Sequence, residues 1–209
     1  MLPAVKIGRR RNNMYVIGLT GMIASGKSTV SGFLRQKGIR ILDADKISHQ
    51  VILKGQPAFE EIVAYFGTDC LAYDGQIDRR KLGTIVFSER EKLEALNRIV
   101  HPRVTEEILH CLKEQKGLMV IDAPLLVQAG LDRLCDEIWN VCAEQSLRIA
   151  RIIARDHLEE EQALARVRSQ QMHMPEDKPV YTIENSGSYE NLIEQVNNQL
   201  ARIEKYEET

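Results

Sequence analysis

The octapeptide Gly21-Met22-Ile23-Ala24-Ser25-Gly26-Lys27-Ser28 fits the pattern G-x-x-x-x-G-K-[ST], and it constrains the fold more than any other stretch of the chain. Such a loop curls around an anion, because glycine lets the backbone approach closely and several N–H groups converge on phosphate oxygens. It requires a strand before it and a helix after it, whose N-terminus adds partial positive charge at the same point. Both flanks comply. Tyr15-Val16-Ile17-Gly18-Leu19-Thr20 is a short apolar run suited to a buried parallel strand, and Lys27 to Gln36 suits a helix ended by Lys37-Gly38. Ile39-Arg40-Ile41-Leu42-Asp43 then reads as a second strand, so the unit is βαβ and implies a parallel sheet.

From about residue 46 to 117 the pattern becomes helical throughout, with helices expected at 46–54, 57–66, 78–87, 89–99 and 101–115. Strands return at Leu118-Met119-Val120-Ile121-Asp122, Glu137-Ile138-Trp139-Asn140-Val141 and Val180-Tyr181-Thr182-Ile183. Helices are expected at 144–156, 159–173 and 188–205, the first two rich in Arg and Glu at same-face spacings. The fold class is therefore α/β, a five-stranded parallel sheet of the P-loop NTPase type with an inserted helical region and a charged helical hairpin.

The chain has 209 residues, enough for one α/β core with an insertion, and a net charge of -2, which gives no electrostatic reason to expect a nucleic-acid partner. Cys70, Cys111, Cys135 and Cys142 show neither metal-ligand nor disulfide spacing and read as reduced thiols. No apolar run is long enough for a bilayer, and no signal-peptide core is visible, so a soluble cytoplasmic protein without a membrane partner is expected. Residues 1–13, with Lys6, Arg9, Arg10 and Arg11, read as a disordered extension, and the start residue is open between Met1 and Met14. Oligomeric state is open between a monomer and a small homo-oligomer.

The loop implies a nucleoside triphosphate, ATP, with Mg²⁺. Gly21, Ile23, Ala24, Ser25 and Gly26 supply the cradle, Lys27 reaches the β- and γ-phosphates, Ser28 ligates the metal, and Thr29 lies near the α-phosphate. Asp43-Ala44-Asp45 sits at the C-terminal end of the second strand, where open parallel sheets bind ligands. Asp45 has two readings: it accepts a proton from an acceptor hydroxyl, or it caps a helix starting at Lys46. Asp122 closes an apolar strand, the ordinary place of a Walker-B magnesium ligand.

A longer series of blocks resembles the dephospho-CoA kinase family over nearly the whole chain. The series runs from Gly18-Leu19-Thr20-Gly21 and the phosphate loop through Asp43-Ala44-Asp45, Gly75-Gln76-Ile77-Asp78-Arg79, His101-Pro102 and Pro124-Leu125-Leu126. It continues in Arg151, Arg155-Asp156, Ala163, Arg166 and Gln170, and ends in Asn185-Ser186-Gly187-Ser188. The resemblance implies a nucleoside/nucleotide-kinase-like fold that phosphorylates the ribose 3′-hydroxyl of dephospho-coenzyme A, with dephospho-CoA and ATP as small-molecule substrates. It implies Asp45 as catalytic base or orienter, and an acceptor region over about 46–117 with Asp78, Arg79, His101, Pro124 and Leu125 as acceptor-side candidates. A lid over about 144–173 would bring Arg151, Arg155 and Arg166 to the transferring group, and Asn185 with Gly187 would border the adenine. For His101, a structural role at a helix start is the competing reading. Resemblance to a family in which the position of Asp122 need not be acidic leaves that residue at most a water-mediated contact to the metal.

The chain departs from the family pattern at Gln128 (usually glutamate), at Pro179-Val180 (usually Ala-Asp) and at Ala24 (often glycine). These departures bear on the acceptor more than on the nucleotide. The rival readings are a kinase of another nucleoside-like acceptor and a nucleotide-binding relative without turnover. No N-K-x-D guanine motif is present.

Overall fold

The computed structural model describes residues 14–113, 115–172 and 174–207. The proposed extension at 1–13 lies outside them. The described residues form two compact units, one made of those within 14–41 and 116–207 and the other of those within 42–115.

The sheet has strand order β2-β3-β1-β4-β5, in which β1 is Met14–Gly21, β2 Arg40–Asp43, β3 Gly117–Asp122, β4 Glu137–Cys142 and β5 Val180–Glu184. All strands run parallel. β1 is central, pairing with β3 from Met14↔Gly117 to Leu19↔Asp122 and with β4 from Ile17↔Glu137 to Gly21↔Val141. Val16 to Gly21 are buried on both faces, which is why the segment reads as a continuous apolar run rather than an alternating one. The chain leaves β1 toward β2 on one side and later returns to β4 on the other. The end of β1 is thus a topological switch point.

Helix α1, Lys27–Gln36, buries Val30, Ser31 and Leu34. It ends as the Lys37-Gly38 pair implies: Gly38 has φ +81°, and Ile39 N–H returns to the Leu34 carbonyl at 3.1 Å. Val30 and Leu34 share a cluster with Ile17, Leu19, Trp139 and Ile183 of the sheet and with Leu192, Val196, Leu200 and Ile203 of the C-terminal helix α8, Tyr189–Glu207. Between them lie α6, Gln145–Asp156, and α7, Glu160–Arg168. α6 stops at His157 in the left-handed conformation (φ 53°), and α7 starts with a capping box between Glu159 and Gln162. α7 is shorter than the expected 159–173.

Residues 42–115 hold α2, Ala44–Val51, α3, Pro57–Phe66, α4, Arg79–Phe87, and α5, Arg90–Lys113. Their core contains Ile62, Cys70, Leu82 and Val86, with Leu93, Leu96, Ile99 and Val100 packed against it. One expectation is corrected here: the break at His101-Pro102 does not occur, and α5 is continuous with Pro102 inside it. A proline there costs about 3 kcal/mol through a lost hydrogen bond and a clash. Burial of Ala95, Val104, Ile108 and Leu112 on both sides of it offsets that cost.

A polar network crosses the lower end of the sheet. Glu137 is 1% exposed and accepts from Tyr15 Oη, Trp139 Nε1 and Arg202 Nη2, each at 2.6 Å. Arg202 also lies over the Tyr181 ring at 3.9 Å, and burial, with help from Glu137, pushes the Tyr15 hydroxyl well above its ordinary pKa. Replacing Glu137 with Leu should therefore destabilise the chain by about 3–5 kcal/mol, because three donors lose their acceptor. Glu137→Gln should cost less. Urea denaturation measures both, and a loss under about 1 kcal/mol for Glu137→Leu would show that the network contributes little.

Candidate active site

The phosphate loop leaves β1 at the sheet centre and enters α1 at Gly26. Gly26 has φ +95°, and a Cβ there would lie 1.9 Å from Asn185 Nδ2, so both backbone conformation and space demand glycine. Ala24, where the family often has glycine, takes the left-handed conformation at φ 58°. This costs an L-residue roughly 1–2 kcal/mol. The loop is stitched to the rest of its unit. Ile23 N–H donates to Gln170 Oε1 at 2.6 Å, the Ile23 carbonyl accepts from Arg148 Nε at 2.9 Å, and the Ala24 carbonyl accepts from Arg151 Nη1 at 3.2 Å. The Ser25 carbonyl accepts from Asn185 Nδ2 at 2.8 Å. Ile23 and Ala24 also pack against Ile152, Ala163 and Val167 of α6 and α7.

Lys27 is half-buried. Its ammonium is paired with the Asp122 carboxylate at the end of β3, and Asp122 is 6% exposed. This contact is direct, so Asp122 is first of all the partner of Lys27. Ser28 and Thr29 stand exposed in the first turn of α1. Among the described residues no group of three or more His, Cys, Asp or Glu side chains is arranged to hold a metal. Mg²⁺ is commonly held by few protein ligands together with substrate phosphates and water. An exposed Ser28 hydroxyl fits such a set.

The Asn185–Ser188 segment follows β5. Asn185 N–H donates to the Cys142 carbonyl at 2.7 Å, Arg151 Nη2 donates to the Asn185 carbonyl at 2.9 Å, and Ser186 Oγ accepts from Glu144 N–H at 2.9 Å. The amide nitrogen of Asn185 is thus occupied by the loop rather than directed at a base. Arg151 likewise bridges two carbonyls, those of Ala24 and Asn185. Arg155 pairs with Asp156 at 2.7 Å, and Arg166 reaches the same carboxylate at 2.7 Å. These two arginines hold the Asp156 carboxyl below the usual carboxylate range, Arg155 most strongly.

Pro124 follows β3, and its carbonyl accepts from Thr20 Oγ1 at 3.2 Å, while Leu125 is exposed. Gln128 Nε2 donates to the Gln171 carbonyl at 3.3 Å, a bond an ionised glutamate cannot make. The Pro179 carbonyl accepts from Ile138 N–H at 2.9 Å, and Val180 opens β5. These backbone contacts do not depend on the side chains, and nothing in the structure explains that departure.

In the second unit, the helix cap is Asp43. Its side chain accepts from Lys46 N–H, and α2 begins at Ala44, so the capping reading of Asp45 is overturned. Asp45 lies exposed in the first turn, and Ser48 Oγ donates to its carbonyl at 2.8 Å. Asp78 caps α4 through Arg80 and Lys81 N–H, and these bonds, led by Lys81, lower its pKa. Arg79 Nη1 comes within 3.5 Å of His49 Nδ1. His101 lies within α5, half-buried, and burial lowers its pKa below 6.5. Its stability contribution is present above that value and is lost as pH falls through it.

Arg148 escapes sequence reading, although it stands one turn before Arg151. Nothing in its spacing separates it from the surface arginines of α6.

The sequence model of the dephospho-CoA kinase family matches residues 15–191. A dephospho-CoA kinase of Carboxydothermus hydrogenoformans is 46% identical over 189 residues, 87% of this chain and 90% of its own. One of Lactobacillus johnsonii is 39% identical over 90% and 98% of the two chains. Among solved structures, a Thermus thermophilus protein superposes with a TM-score of 0.76 at 33% identity, covering 91% of this chain and 98% of its own. A dephospho-CoA kinase from Campylobacter jejuni gives 0.64 at 28% identity, covering 93% and 98%. With a phosphate loop at the sheet's switch point, its lysine held by Asp122, and a match spanning nearly every described element, this chain belongs to the dephospho-CoA kinase family.

Proposed function

We propose that the chain transfers the γ-phosphoryl group of ATP to the ribose 3′-hydroxyl of dephospho-coenzyme A, giving coenzyme A and ADP. The observation that carries this reading is family membership over residues 15–191 joined to a phosphate loop whose carbonyls are engaged from behind. The acceptor oxygen forms a bond to the γ-phosphorus as the bond to the β,γ-bridging oxygen breaks, and the hydroxyl proton passes to a carboxylate. Asp45 is that carboxylate. Lys27 exchanges its Asp122 contact for the β- and γ-phosphate oxygens and stabilises charge there. Arg155 and Arg166, paired with the half-buried Asp156 carboxylate, are the lid cations that can turn to the transferring group. Ser28 would hold Mg²⁺, which would supply charge neutralisation at the phosphates.

Arg151 and the Asn185 side chain position the loop, while the backbone from Asn185 to Gly187 borders the adenine. Arg79, His101, Pro124 and Leu125 take the acceptor side; Asp78 serves its helix. Location in the cytoplasm fits four free thiols and the absence, among the described residues, of a helix long and apolar enough to cross a membrane.

Incubation with dephospho-CoA, ATP and Mg²⁺ should yield coenzyme A by mass spectrometry. Phosphorylation of another nucleoside-like hydroxyl with no coenzyme A formed would move the acceptor assignment.

Lys27→Ala should lower turnover by at least about 10²-fold. It also strands a buried Asp122 and should cost about 1–3 kcal/mol of stability. Adding Asp122→Asn should restore melting temperature without restoring activity, and near-normal turnover by either folded variant would rule out the role of Lys27.

Asp45→Asn leaves the Asp43 cap intact, so the melting temperature should hold while coenzyme A formation falls by roughly 10²–10⁴-fold and ATP affinity stays close to wild type. Turnover within about threefold of wild type would leave Asp45 no catalytic part.

A further inference from the structure

We propose that Arg148 is a positioning residue for the nucleotide: from behind the phosphate loop, its buried guanidinium helps turn the loop's N–H groups toward the triphosphate and gives the site a fixed positive charge. This rests on the reading that ATP binds at that loop.

Arg148 is 4% exposed, and its Nε donates to the Ile23 carbonyl at 2.9 Å. Among the described residues no carboxylate pairs with it, and its Nη2 is buried without a hydrogen-bond partner. A buried charge left unpaired is among the costlier things a fold can carry, and an apolar side chain of similar volume would serve stability better. Burial lowers its pKa, yet a guanidinium remains protonated. Packing and stability therefore do not account for an arginine here.

Peptide geometry supplies the account. In a trans peptide the carbonyl of one residue and the N–H of the next point in opposite directions. Arg148 holds the Ile23 carbonyl, Arg151 the Ala24 carbonyl at 3.2 Å and Asn185 the Ser25 carbonyl at 2.8 Å. Donors that grip these three consecutive carbonyls direct the N–H groups of Ala24, Ser25 and Gly26 away from themselves. Ser25 N–H closes a turn on the Met22 carbonyl at 3.0 Å, which leaves Ala24 and Gly26 N–H for an anion. A neutral amide suffices to hold a carbonyl, as Asn185 demonstrates. A cation adds charge that salt screens weakly, because it is buried.

The test uses the full chain, with calorimetric titration of a non-hydrolysable ATP analogue and Mg²⁺ at low and high KCl, and thermal melting of the nucleotide-free protein. Wild type binds the analogue, and Arg148→Met should weaken binding about tenfold or more while melting at or above the wild-type temperature. Arg148→Gln, which keeps a donor but no charge, should also bind more weakly. Because salt screens a buried charge weakly, the loss of affinity in both variants should persist at high KCl. Binding within about twofold of wild type, or a loss of affinity that disappears at high KCl, overturns the proposal. If Arg148→Met does not fold, Arg148→Gln decides by the same criteria, and failure of both to fold marks Arg148 as a fold determinant and overturns it as well. Failure of the wild-type chain to bind the analogue would instead overturn the nucleotide site itself.

Discussion

The structure depends on β1 being hydrogen-bonded on both edges. With β3 on one side and β4 on the other, the strand is held in register from Met14 to Gly21, and the loop that follows emerges at the middle of the sheet rather than at an edge. The same two neighbours deliver the groups that furnish the site. β3 ends in Asp122, which pairs with Lys27, and β4 leads into α6, whose arginines grip the loop carbonyls. Parallel strands bring these C-terminal ends to one edge of the sheet, so a single pairing scheme places the cradle, the lysine partner and the supporting helix together.

The cations of this unit differ in their partners. Lys27 has a buried carboxylate partner, Arg155 and Arg166 share the more accessible Asp156, and Arg148 has none. An exposed ion pair is worth little in water and exchanges readily, whereas the buried Lys27–Asp122 pair keeps a cation in place without leaving either charge alone in a poorly solvated site. The two arrangements suit different tasks. Fixed charges shape the loop, and exchangeable ones can follow the transferring group.

The departures from the family pattern each have a local setting. Gln128 donates to a backbone carbonyl beyond α7, Pro179 contributes a carbonyl to β4, and Ala24 accepts a left-handed backbone that glycine would adopt without strain. All three lie in the unit that carries the phosphate loop, and of them only Gln128 makes a contact that the usual residue could not.

The strands, their parallel sense, most of the helices and the phosphate loop were legible in the sequence, because each depends on near neighbours: apolar runs, a glycine-lysine-serine turn, Lys37-Gly38 as a stop. Lys27 and Ser28 were legible for the same reason. What tertiary structure alone decided involves partners far apart in the chain or competition between neighbouring residues. Asp43 rather than Asp45 caps α2, because the strand ends there and the helix begins one residue later than the cap. α5 runs through Pro102 because packing on either side outweighs one local defect. Arg148, Arg151 and Asn185 look in sequence like any surface arginine or loop asparagine. Only folding brings them within hydrogen-bond distance of residues 23–25, more than a hundred positions earlier, since a side chain's role as a donor is set by where its acceptor lies and spacing along the chain carries no record of that distance.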